Sequence, residues 1–143
     1  MDIFDRILLL KNSVVFEQSA TDDLRYVAMA MEEESYLKGE RIFDIGENGE
    51  HMYLIKSGMV GISLHRDPRA KEFVVTLGAG ECFGEMNLLD QLPRSATAHV
   101  VKDTVALSLS TDHFHQLVLR YPELALGMLA SLSKRLRETN KFL

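Results

Sequence analysis

The side chains with chemistry to offer are concentrated between Gly80 and Ala98. Arg94 carries a fixed fork of N–H donors that suits a phosphate, and Ser95 sets a hydroxyl donor beside it. Glu85 only accepts, so it suits a sugar hydroxyl rather than a phosphate. Gly84 lets the backbone come close to a ligand. Residues 86–89 can make one helical turn whose leading N–H groups face an anion, and Pro93 stiffens the approach to Arg94. The segment therefore offers an anion cradle and a hydroxyl acceptor together, the set that a ribose phosphate needs. Each signal is common by itself, since an arginine after a proline usually makes a surface ion pair. Their order within one short stretch is what carries information.

The elements that must position this segment can be read from the remaining 143-residue chain. Eight of its nine glycines lie between Gly39 and Gly84, separating short apolar runs at 41–45, 52–55, 60–64 and 73–77. Two further runs follow at 96–101 and 104–109. Strands a few residues apart with glycine between them indicate an antiparallel sandwich or barrel. The flanks read as helices. Residues 3–10 form an apolar-rich helix, and Thr21, followed by Asp22 and Asp23, looks like the cap of a helix running to Met31. Thr111 resembles a second cap, of a helix reaching Arg120, and Pro122 suits the first turn of a last helix to about Asn140. The sequence predicts one domain: a helical lead-in over 1–31, a β core over 32–110 and closing helices over 111–143.

Composition bounds the function. The chain is 46% hydrophobic and 26% charged, an ordinary globular balance, with no apolar run near the roughly 20 residues of a membrane span. Acidic residues near the start do not fit a secretory leader, so the cytoplasm is the expected compartment. Cys82 is the only cysteine, which excludes an internal disulfide and a cysteine-built zinc site; a lone cysteine in a strand reads as an inert small hydrophobe. The net charge is −5, and residues 1–110 hold 18 of the 21 acidic side chains, which argues against a broad nucleic-acid footprint. The run Glu32 to Glu34 reads as a solvated face. The five histidines form no metal set by spacing, and His113 and His115 point two ways from one helix. No metal site is expected, nor the clustered histidines and carboxylates of a metal oxygenase, so catalysis is not expected either.

The stretch FGEMNLLDQLPRSAT at 83–97 resembles the phosphate-binding cassette of cyclic nucleotide-binding domains, the family of the bacterial catabolite activator and the cAMP-dependent kinase regulatory subunits. KGERIFDIGE at 38–47 and MYLIKSGMV at 52–60 are similar to that family's opening strands and glycine turns, and 121–140 to its closing helix. The resemblance implies a mainly β fold: an antiparallel, jelly-roll-like β-roll with N-terminal helices and C-terminal hinge and lid helices, the cassette at 83–96. It implies a non-catalytic regulatory sensor that needs no cofactor and passes ligand state through its C-terminal helix.

The resemblance also implies roles. Glu85 and the Gly84 backbone would take the ribose 2′-hydroxyl. Arg94 and Ser95 would hold the cyclic phosphate, with backbone N–H groups near Met86 and Ala96. Ile62, Val74 and Val75 fall where the family lines the base pocket, with Phe83 beside them, although such residues are more often plain core. Thr139 matches a position that meets adenine, Asn140 one that reaches the partner subunit's ligand, and Arg135 can approach the base. Ser95, where cGMP-selective relatives often have threonine, favours cAMP, although serine also accommodates cGMP. Leu129, Leu132, Leu136 and Leu143 sit at heptad a and d spacing, with Thr139 at the missing d; the stripe can form a homodimer seam or pack on the chain's own β core, the use expected of its first half, while the second half can do either. In transcription factors of the family a helix-turn-helix follows the closing helix. With the chain ending at Leu143, DNA binding is not expected, and the effector would be another protein. Two alternatives remain at this point: a dimerising interaction module indifferent to nucleotide, and a regulatory domain belonging to a larger transporter or signalling protein.

Overall fold

The structure is a computed structural model that describes residues 1–65 and 72–140; Leu143, the last position of the heptad seam, lies outside the described residues. Its centre is an antiparallel sheet of six strands: β1 Glu32–Tyr36, β2 Arg41–Phe43, β3 His51–Ser63, β4 Val75–Leu77, β5 Cys82–Phe83 and β6 Thr97–Ser110. Four helices flank it: α1 Ile3–Lys11, α2 Thr21–Ala30, α3 Thr111–Arg120 and α4 Glu123–Thr139. A 3-10 turn, Glu85–Leu88, lies between β5 and β6. The sheet closes on two long strands. β3 pairs with β6 along nearly its whole length; β1 and β2 add to β6, and β4 and β5 add to β3. This is the expected mainly β roll with flanking helices.

The long strands correct the sequence reading. The runs at 52–55 and 60–64 are one strand, as are those at 96–101 and 104–109. Polar breaks at Lys56 to Gly58 and at Lys102 and Asp103 look like turns. The chain instead carries through them with register shifts near Ser57 and Met59, and with Gly58 at φ 108°. The Glu32–Glu34 run is a strand rather than a solvated face throughout. The Glu34 carboxylate accepts from the Ser108 hydroxyl at 3.1 Å and from the Tyr36 hydroxyl. The caps also move by one residue. Ala20 holds the cap position of α2 without a side-chain bond, whereas Ser110 caps α3, accepting from the His113 amide at 3.1 Å.

Alternation along β3 divides the interior into two cores. Met52 and Leu54 face a helical core with Phe16, Leu24, Leu107, Phe114 and Leu124. Tyr53 and Ile55 face the roll interior with Val60, Phe83 and Ala98. A strand buried on both faces uses its two-residue period to serve both at once. The second core floors the site.

Candidate functional site

A cavity of about 240 Å³ opens above the roll interior. One wall is the first part of the 83–96 stretch: Phe83, Gly84, Glu85, Met86 and Asn87. The other is Arg94, Ser95 and Ala96, with Ile62, Phe43 and Cys82 completing it. Eight of the residues singled out in the sequence thus converge: Ile62, Phe83, Gly84, Glu85, Met86, Arg94, Ser95 and Ala96.

The local backbone explains this convergence. Gly84 adopts φ 75°, the left-handed region that a side chain disfavours, and so turns β5 sharply into the 3-10 turn. It also makes room. A Cβ there would lie 2.5 Å from Arg94 Nη1 and 3.1 Å from the His51 carbonyl oxygen. Arg94 is delivered from the opposite side by hydrogen bonds between its backbone and the turn after β2: its amide donates to Glu47 at 2.6 Å and its carbonyl accepts from Gly46 at 2.9 Å.

Arg94 is only 6% exposed. Its Nη2 donates to the His51 carbonyl at 2.7 Å; its Nη1 donates to Asn87 Oδ1 at 3.0 Å and to the Gly84 carbonyl at 3.4 Å. The guanidinium lies 4.0 Å from the centroid of the Phe43 ring, a cation–π contact. Among the described residues no carboxylate pairs with it, and its buried Nε has no hydrogen-bond partner. Burial pushes its pKa below the ordinary arginine value, with Tyr53 and Glu47 acting against that shift. Arginine nevertheless stays charged in proteins, so this is a buried cation that no described carboxylate pairs directly, held by carbonyl and amide dipoles and an aromatic face, with Glu47 acting from further away. Buried charges are ordinarily paired. An anion in the cavity would supply what Arg94 lacks.

Glu85 stands at the start of the 3-10 turn, and its Oε1 lies 3.5 Å from Nη1 of Arg135 on α4. Arg135 therefore meets the site through Glu85 rather than as part of the cavity wall. Val74 and Val75 are 63% and 46% exposed and do not line the cavity, although Val75 pairs with Ile62 in the sheet. Thr139 and Asn140 do not line it either. They are exposed at the end of α4, where the Thr139 hydroxyl donates to the Arg135 carbonyl at 3.0 Å and Asn140 is the C-terminal cap. Sequence reasoning missed Phe43, Cys82 and Asn87. Burial pushes the Cys82 thiol pKa up to about 12, so it stays protonated. Among the described residues no three His, Cys, Asp or Glu side chains cluster to hold a metal, and no helix is long and apolar enough to cross a membrane.

The expected dimer seam is split. Leu132 packs against the helical core, while Leu129 and Leu136 are 56% and 61% exposed. The outward leucine face runs instead through Leu126, Leu129 and Leu136.

The architecture is an antiparallel β-roll whose inter-strand turn approaches a buried arginine that no described carboxylate pairs. Residues 33–121 match the family model described as "Cyclic nucleotide-binding domain". The chain belongs to the cyclic nucleotide-binding domain family. It is similar to the "Cyclic AMP receptor protein" of Thermus thermophilus, 34% identical over 131 residues, covering 92% of this chain and 61% of that protein. Among solved structures, the N-terminal domain of a transcriptional regulator from Streptomyces coelicolor superposes with a TM-score of 0.82 at 25% identity, covering 93% of this chain and 95% of that one. The regulatory domain of Toxoplasma gondii PKA, crystallised with cAMP, superposes at 0.74 with 29% identity, covering 80% of this chain and 44% of that one. The chain spans about three-fifths of the length of the Thermus and Mycobacterium curated relatives it matches.

Proposed function

We propose that this chain, residues 1–143 acting as one unit, is a non-catalytic cyclic-nucleotide sensor whose ligand is cAMP. The observation that carries the reading is Arg94: a buried cation without a carboxylate partner among the described residues, its Nε unpartnered, lining a cavity of about 240 Å³. In this reading Arg94 and Ser95 take the cyclic phosphate with amides near Met86 and Ala96. Glu85 accepts from the ribose hydroxyl, and Ile62, Phe83 and Phe43 give the base an apolar wall. A ribose hydroxyl at Glu85 competes with Arg135 for the same carboxylate, so ligand arrival and α4 position are linked through one group. Closure of α4 would bring Thr139 and Asn140 towards the base. The cAMP bound to the Toxoplasma relative supports the choice of nucleotide. cGMP shares the phosphate and ribose contacts, and a single base hydrogen bond of about 0.5–1.5 kcal/mol separates the two by roughly tenfold or less.

The outward leucines of α4 support a homodimer through that helix, the output being passed to an effector protein. The same leucines favour the second reading, a dimer that ignores nucleotide.

Calorimetric titration with cAMP and cGMP tests the sensor. One site per chain is expected, with cAMP the tighter ligand. Arg94→Ala is expected to weaken binding at least about a hundredfold, since charge-assisted hydrogen bonds contribute about 1.5–3 kcal/mol each. Absence of heat at millimolar nucleotide, or unchanged affinity in the Arg94 variant, would sink it.

A further inference from the structure

Asn87 is a buried polar residue to which the reading above gives no task. It is 6% exposed and sits in the 3-10 turn of the cassette. Its side chain bonds in two directions. Oδ1 accepts from Arg94 Nη1 at 3.0 Å, while Nδ2 donates to the Leu92 carbonyl at 2.8 Å and lies 3.4 Å from Asp90 Oδ1. Arginine has only donors and a carbonyl only accepts, so these partners fix the amide in one orientation. The packing around it is equally restrictive. A Cβ on Gly49 would lie 2.3 Å from Asn87 Cγ, so the turn before β3 approaches this amide as closely as only glycine allows.

The same turn carries the hinge helix. The Asn87 carbonyl accepts from the Thr111 hydroxyl at 2.9 Å, and Thr111 is the first residue of α3. The next carbonyl, that of Leu88, lies 3.0 Å from His115 Nε2, one turn further along α3; since a carbonyl only accepts, that nitrogen is the donor. One residue therefore touches the guanidinium with its side chain and the hinge helix with its backbone.

We propose that Asn87 is the positioning residue of the anion site. It aims the Arg94 guanidinium by holding Nη1, and it ties the arginine to the start of α3. The inference rests on reading Arg94 as the phosphate ligand, but the orientation of the guanidinium can be measured without any ligand.

Arginine side-chain ¹⁵N–¹H spectra of the unliganded chain provide that measurement, with the Arg94 signals assigned by their loss in Arg94→Ala. In the wild type, rotation about the guanidinium is expected to be hindered and the Nη protons resolved. In Asn87→Ala, rotation is expected to be at least about tenfold faster and cAMP affinity about tenfold weaker, because a hydrogen bond to a charged group is lost. Asn87→Asp keeps the acceptor and the shape but sets a carboxylate against the cation. It is expected to retain hindered rotation yet bind cAMP more weakly than Asn87→Ala. A purely structural role would not separate rotation from affinity in this way. Arg94 signals alike in the wild type and Asn87→Ala would overturn the proposal. So would Asn87→Ala affinity within twofold of a wild type that binds. If the alanine variant does not fold, wild-type affinity in Asn87→Asp overturns it. If the wild type binds neither nucleotide, the phosphate reading fails, and the spectra still decide whether Asn87 positions Arg94.

Discussion

The cavity wall and the outer half of α4 are built in opposite ways. At the cavity, Arg94 is held by three acceptors and an aromatic ring, Gly84 and Gly49 permit approaches that a Cβ would block, and the floor is the close-packed core of Tyr53, Ile55 and Phe83. Along α4, Leu124, Gly127, Met128 and Ser131 are buried, but every described residue from Ser133 onward is exposed. Two ion pairs tie that outer half down: Lys134 to Glu17 at 3.4 Å and Arg135 to Glu85 at 3.5 Å. Both are long contacts from exposed cations to half-buried carboxylates, and pairs near the surface contribute about 0–1 kcal/mol. In the proposed sensor these parts would divide the work: the end around Arg94 is already held in place, so little ordering would oppose binding, and a ribose hydroxyl competing for Glu85 would act on the exposed outer half of α4.

Substitutions at two glycines and two leucines sharpen the contrast. The largest effect is expected from Gly84→Ala. The left-handed backbone alone costs roughly 1–2 kcal/mol for a residue with a side chain, and the new methyl meets Arg94 Nη1. A melt should show that loss and a titration at least tenfold weaker cAMP binding; wild-type affinity would mean that Arg94 is not constrained by the turn. Gly127→Ala is expected to act on the inner half of α4. Its Cβ would lie 2.4 Å from Ser19 Oγ and 3.1 Å from Ser19 Cα. Overpacking of about 1–3 kcal/mol outweighs a helix-propensity gain of up to about 1 kcal/mol, for a net loss of about 1 kcal/mol in denaturant unfolding. The pair Leu129→Ala and Leu136→Ala should change monomer stability by no more than about 0.5 kcal/mol, while light scattering shows the dimer lost. If that dimer forms in the wild type equally with and without cAMP, α4 associates without sensing the ligand.

How much of this was legible in the sequence depended on the range of the interactions. Gly84, Glu85, Arg94 and Ser95 lie within one stretch, so their chemistry could be read as a set. The cation–π contact from Phe43 and the crowding of Asn87 by Gly49 join segments distant in sequence, and no local pattern announces them. The two long strands were divided in reading because Lys56, Ser57 and Gly58 carry turn chemistry that the bulges of β3 absorb. The heptad reading of α4 found its leucines but not their sides. Leu132 and Leu129 both fit the spacing, and it is the helical core that draws Leu132 inward. The role of Glu34 was hidden for a related reason: three acids in a row look solvated until pairing with β6 brings Ser108 to Glu34, where Tyr36 from the same strand also donates.

The central claim is that Arg94 is a buried cation kept for an anion. A crystal structure of the chain grown with cAMP tests it most directly. The expected result is a phosphate oxygen within hydrogen-bond distance of the Arg94 guanidinium, with the ribose hydroxyl on Glu85 and the Arg135 contact to Glu85 displaced. Nucleotide bound elsewhere, or a cavity in which Arg94 keeps only its three present acceptors at saturating cAMP, would contradict it.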